Sequence, residues 1–178
     1  YLLYGSHSIL EHKGLQIRIP QTFVLATDAY DDFMLQNDLS EFAMQCQNDE
    51  EIIKRFLQAK LPGSVSSALN VILDHFNEPI AVRSSSLLED NMLHPFAGIY
   101  GTVMLANDSD DKEKRLYDLE RSIKYVYATT FFRNAKAYIA NTVRDMYEEK
   151  MAVIIQLLVG QRYGDKFYPN FSGVAQSY

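Results

Sequence analysis

Cysteine is nearly absent from this chain. Cys46 is alone among 178 residues, which excludes an intrachain disulfide and suits a reducing compartment. No His or Cys lies near it in sequence, so within "SEFAMQCQ" it reads as a small core filler in a helix. Glycine and proline are also scarce, at 8 and 5, and no stretch is collagenous, repetitive or of low complexity. Positive charge is in deficit: 17 Lys and Arg face 23 Asp and Glu, for a net charge of −6. A protein that grips nucleic acid needs the opposite excess, and no basic cluster compensates locally. The longest apolar run, "MAVIIQLLVG", is interrupted by Gln156 and is about half the ~20 residues a membrane span requires. His7, His12, His75 and His94 are scattered and show no metal-ligand spacing. These absences leave a cytoplasmic globular protein with no nucleic-acid or membrane partner as the expectation.

What is present supports a packed core. Hydrophobic residues make up 47% of the chain and charged ones 22%, and the length fits one ordinary domain or two small lobes. Up to residue 77 helices dominate. "LQIRIPQTFVLAT" reads as two short strands about Pro20. Thr27 is the expected cap of the next helix, with Tyr30, Phe33 and Met34 inward. Asn48 caps a clearer helix whose Ile52, Ile53, Phe56 and Leu57 form a stripe. A third helix, "SSALNVILDHF", follows Pro62-Gly63. The texture then changes. "PIAVRSS" is a strand, "LLEDNMLHPFAG" a loop, and "IYGTVML" the return strand of a hairpin. "NDSDDKEKR" is a charged turn, with Asp110 and Glu113 as a capping-box pair. The helix after it carries Leu116, Leu119, Ile123, Val126 and Tyr127 on one face, and "AKAYIANTVRDMY" continues in helix. "KMAVIIQLLV" reads as a strand buried on both faces. "VGQRYGDKFYPN" reads as a connection and "FSGVAQ" as a last strand. The fold class is α+β, with mostly antiparallel strands and flanking helices. The chain begins without Met and stops in what reads as mid-strand, so a piece of something longer is expected.

Three constellations carry chemistry. Arg83 emerges from an apolar run, and Ser84 and Ser85 follow it with hydroxyls and backbone N–H groups. A guanidinium so placed makes bidentate bonds to phosphate or carboxylate. The alternative is a structural ion pair with Glu89 or Asp90. In "HPFAGIYGT", Gly98 and Gly101 permit close backbone approach and Thr102 offers a hydroxyl; an ordinary tight turn has the same residues. In "AVIIQLLVG", Gln156 needs a partner. It could form a donor–acceptor edge with the peptide groups that follow, or sit on an edge strand facing water. The acidic pairs Asp31-Asp32, Glu50-Glu51 and Glu148-Glu149 read as surface or helix-terminal charges.

In order, "IRIPQTFVLATDAYDDFM", "PIAVRSSSLLED", "PFAGIYGTVML", "AVIIQLLVG" and "FSGVAQS" resemble one family. It is the N-terminal nucleotide-binding region of phosphoenolpyruvate synthase (pyruvate, water dikinase) and pyruvate phosphate dikinase. The resemblance spans roughly residues 14 to 176, and the Val-Arg-Ser-Ser and Phe-Ala-Gly pair is its most specific part. It implies an ATP-grasp-like lobe: about 1–150 as a first lobe and 151–178 as the start of a second. It also implies ATP as ligand, with Mg²⁺ on the phosphates held by residues beyond Tyr178. By position, Arg83, Ser84 and Thr102 would meet phosphates, and Gly98 would let the covering loop approach. Gln156 with the backbone of Leu157, Leu158 and Val159 would line the adenine. Arg83 is then also the catalytic candidate. The implied activity is a phosphotransferase with paired acceptors: ATP phosphorylates a His in another domain of the same chain, which passes the group to pyruvate. This segment would not act alone. A non-catalytic nucleotide-binding or interaction module is the alternative. The family's Gly-Lys-Ala segment has no Lys match in "YGSHSILEHKG", where His7 lies near the position, and Gln21-Thr22-Phe23 replaces the family's Gly-Phe.

Overall fold

The computed structural model describes residues 2–4, 9–12, 14–86, 89, 98–140 and 149–173, with backbone alone for 2–4, 9–12 and 15–18. Short strands β1 (Leu2–Tyr4), β2 (Ile9–His12), β3 (Leu15–Arg18) and β4 (Thr22–Leu25) come first. Helices α1 (Thr27–Gln36), α2 (Ser40–Gln45), α3 (Asp49–Gln58) and α4 (Gly63–His75) follow. The hairpin β5 (Ile80–Ser86) and β6 (Thr102–Leu105) precedes helices α5 (Lys112–Thr129) and α6 (Arg133–Ala140). Strand β7 (Met151–Leu157) and the small hairpin β8 (Gln161–Tyr163) and β9 (Lys166–Tyr168) complete the described chain.

Local chemistry sets the boundaries. Asn48 caps α3 as expected, its side chain accepting from the amides of Glu50 and Glu51. Three acids in the first turn and Arg55 in the last complement the helix dipole. Two other expected caps shift by one residue. Ala26 is the N-cap of α1, so Thr27 is already helical, and the Asp28 carboxylate accepts from the Ala29 amide instead. Asp111, not Asp110, caps α5 through the Glu113 amide. Cys46 lies just past α2 as its C-cap and is only partly buried, so it edges the core rather than filling it.

The main sheet has five strands in the order β1-β4-β7-β5-β6. Every pairing in it is antiparallel. β7 is therefore the central strand, bonded to β4 on one side and β5 on the other. Helix α5 lies against β5, β6 and β7, and α1 against β7. Together they cover one face. Phe23 and Leu25 of β4, Ile80 and Val82 of β5, and Val153 and Ile155 of β7 join the core there, among Phe33, Phe56, Phe76 and Tyr127. The other face has no helix on it among the described residues. Burial alternates along β7, with Met151, Val153 and Ile155 buried and Ala152, Ile154 and Gln156 half-buried. The expectation of a strand covered on both faces is thus corrected: its uncovered side is apolar too, which hides the alternation in sequence. The "VGQRYGDKFYPN" connection contains the β8–β9 hairpin, turned at Gly164-Asp165. Phe171–Gly173 is not strand, and the rest of "FSGVAQ" lies outside the described residues, as do Leu87, Leu88 and the 90–97 portion of the expected loop.

Candidate functional site: the uncovered sheet face

Strand parity decides which side chains meet. Cross-strand partners share a face, so the register places two rows on the uncovered side. One runs Thr22, Gln156, Ala81, Met104. The next runs Val24, Ile154, Arg83, Thr102. Arg83 and Thr102 are direct partners in the β5–β6 ladder and both are exposed. The two candidates from separate motifs are thus brought side by side. Gln156 lies diagonally from Arg83, at a spacing of about 7–8 Å for such pairs.

Among the described residues the Arg83 side chain has no hydrogen bond or ion pair. The expected competitor, Glu89, is engaged elsewhere: one carboxylate oxygen accepts from the Ser84 hydroxyl at 2.9 Å, the other from the Ser86 amide at 3.1 Å. The Glu89 amide in turn donates to Ser86 Oγ at 3.4 Å. Asp90 lies outside the described residues. Ser84 therefore sits on the covered face with its hydroxyl occupied, and Ser85 is the serine that shares a face with Arg83. That parity is readable in sequence, since residues two apart in a strand point the same way.

Gln156 is not on an edge strand. Its Nε2 donates to Thr22 Oγ1 at 2.8 Å, and Thr22 Oγ1 donates to the Pro20 carbonyl at 2.9 Å. Beyond it, the amides of Leu157 and Leu158 donate to the carbonyls of Gln21 and Pro79, at 3.0 and 2.9 Å. Leu158 and Val159 then reach the rim of a cavity of about 470 Å³, walled by Pro79, Met104, Phe167 and Pro169. The β8–β9 hairpin closes one side of it and is tied down by the Arg162–Asp108 ion pair at 3.1 Å. Gly160 is obligatory here, because a Cβ would fall 2.5 Å from the Tyr168 carbonyl oxygen. The apolar rim and Met104 suit a planar, largely apolar group, while Arg83, Thr102 and Ser85 supply a donor set for an anion.

The glycines of the β5–β6 connection have different reasons to exist. Gly98 has φ +82° and open space around it, a conformation other residues adopt with strain. Gly101 is required by packing on α5, because a Cβ would meet Thr129 Cγ2 and Tyr125 Cε1 at 2.9 Å. Its amide donates to Thr129 Oγ1 at 3.0 Å.

One acid reverses its expected place. Glu149 is 5% exposed and accepts from the Tyr100 hydroxyl at 3.0 Å. Burial raises the Tyr100 phenol well above the ordinary tyrosine range, and the nearby Glu149 charge adds to it. Tyr100 therefore stays protonated and remains a donor. This contact fastens the start of β7 to the residue two before Thr102. Nothing in the sequence pairs residues 49 apart in this way.

Among the described residues no group of three or more His, Cys, Asp or Glu could hold a metal ion. None of their helices is long and apolar enough to cross a membrane. His7, the nearest counterpart of the family's lysine segment, lies outside the described residues.

Comparison with known proteins gives this geometry its family. The chain is 25% identical over 163 residues to the prodigiosin synthesizing transferase PigC of Serratia marcescens. The match covers 86% of this chain and 16% of that protein. The model of the pyruvate phosphate dikinase AMP/ATP-binding domain matches residues 6–178. With nearly all of its length so matched, the chain belongs to the pyruvate phosphate dikinase AMP/ATP-binding domain family.

Proposed function

We propose that this chain is the ATP-binding part of a phosphoenolpyruvate synthase-like phosphotransferase. The observation that carries the reading is the exposed Arg83 guanidinium, without an acidic partner among the described residues and directly opposite Thr102 on the uncovered face. A cation held by a central sheet and left unpaired is matched to an anionic ligand. The family's nucleotide makes the polyphosphate that anion.

In this reading Arg83 binds phosphate oxygens through its planar fork and offsets their charge as it redistributes during transfer. Thr102 and Ser85 donate hydroxyl hydrogen bonds beside it. Met104, Leu158 and Val159 face the base, with Gln156 at its edge. The amides of Leu157 and Leu158 already donate within the sheet, so their carbonyls and the Val159 amide are the backbone groups left for the base. ATP supplies two phosphoryl groups. In the whole enzyme one passes to a His of another domain and then to pyruvate, while water takes the other as free phosphate, which leaves AMP. In this reading residues 151–178 begin a second lobe, Mg²⁺ is held outside this segment, and the protein works in the cytoplasm.

The test is nucleotide titration of the full-length protein, followed by assay for a base-stable, acid-labile phosphohistidine and for pyruvate-dependent release of AMP and phosphate. Saturable ATP binding with both products is expected. ATP binding without phosphohistidine would overturn the transferase reading in favour of a binding module. No ATP binding would overturn the site itself.

A further inference from the structure

The amide of Gln156 has two orientations, and its neighbours permit one. Thr22 is its direct partner across the β4–β7 ladder, and Ala81, its partner across β5–β7, offers no polar side chain. Thr22 Oγ1 lies 2.9 Å from the Pro20 carbonyl oxygen and 2.8 Å from the Gln156 amide. A threonine hydroxyl has one proton to give. If the Gln156 oxygen faced Thr22, that proton would have to serve it. Thr22 Oγ1 and Pro20 O would then oppose each other at 2.9 Å with no hydrogen between them. With the proton on the Pro20 carbonyl, the hydroxyl must accept, and only the amide nitrogen can donate to it. The chain Gln156 Nε2–H to Thr22 Oγ1–H to Pro20 C=O therefore runs in one direction. It leaves Gln156 Oε1 as the free acceptor end of the side chain.

We propose that Thr22 is a positioning residue that holds Gln156 as a hydrogen-bond acceptor on the uncovered face, so that the site selects a base edge bearing an amino group over one bearing a carbonyl. The inference rests on the nucleotide reading above. An amino group at the purine 6-position donates to Oε1. A carbonyl there sets two oxygens against each other, and turning the amide to relieve this breaks the Thr22 bond. Buried or half-buried polar groups left mismatched in this way discriminate more strongly than a change in apolar contact.

ATP and ITP differ in this respect, since the 6-amino group of one is a 6-oxo group in the other. Equilibrium dissociation constants for both, on the full-length protein, give the selectivity as a ratio. The parent should prefer ATP by roughly tenfold or more, the scale of one hydrogen bond lost to a mismatch. Thr22→Val keeps shape but frees the amide to turn, so the ratio should fall to within about threefold of unity, chiefly through tighter ITP binding. Thr22→Ser keeps the hydroxyl and should restore the parent ratio. Thr22→Ala reads the same quantity should the valine variant fold poorly. A ratio unchanged in Thr22→Val while ATP still binds would overturn this inference alone. Absence of nucleotide binding by the parent would overturn the function reading, and this inference with it.

Discussion

The two faces of the central sheet are built from the same strands and serve opposite ends. On the covered face Phe23, Leu25, Val82, Val153 and Ile155 join the core at no more than 5% exposure. Even the polar Ser84 is tied there, to Glu89. On the uncovered face Arg83 and Thr102 stand exposed, Gln156 is oriented by Thr22, and Met104 is 61% exposed. Ala81 is 2% exposed yet stands apart from the core cluster, a flat place between Gln156 and Met104. One face stores stability in apolar contact, and the other holds the Arg83 guanidinium without a partner among the described residues. Period-two alternation lets one short sequence write both.

The comparison breaks most sharply at adjacent residues of β7. Ile155→Ala on the covered face should cost about 2–4 kcal/mol of folding free energy through lost burial and a cavity. Ile154→Ala, one residue away and half-buried, should cost less, about 1–2 kcal/mol. Urea unfolding of the two variants checks the difference, and equal losses would mean that the second face is covered as well. A smaller effect is expected where the faces are joined at the rim. Tyr100→Phe removes a donor to buried Glu149 and should cost about 1–2 kcal/mol. The loss should persist at high salt, because a buried bond is poorly screened. A salt-sensitive loss would instead mark Glu149 as solvated.

Much of this arrangement is legible in the sequence, and the rest fails for identifiable reasons. The α3 cap at Asn48, the inward stripe of α5 and the β5–β6 hairpin follow from local pattern. Local pattern also singles out Arg83 and Thr102, whose motifs the ladder makes neighbours. The one-sided cover of β7 is hidden because Ile154 and Ala152, on the uncovered face, are as apolar as their covered neighbours. The β8–β9 hairpin is hidden because almost all its residues are exposed, so no apolar alternation marks it. The burial of Glu149 and its bond to Tyr100 depend on tertiary proximity across 49 residues. Parity alone separates Ser84 from Arg83 and Ser85, which share a face. Thr22 carries no signal until the register places it opposite Gln156.

The central claim is that Arg83 is held by the sheet for a ligand and not for the fold. Arg83→Ala in the full-length protein tests it when ATP affinity and unfolding free energy are measured on the same preparation. The expected result is an ATP affinity weaker by at least roughly tenfold, the scale of a lost charge-assisted bond, with stability unchanged to within about 0.5 kcal/mol. Undiminished affinity, or a loss of stability that accounts for the weakened binding, would contradict it.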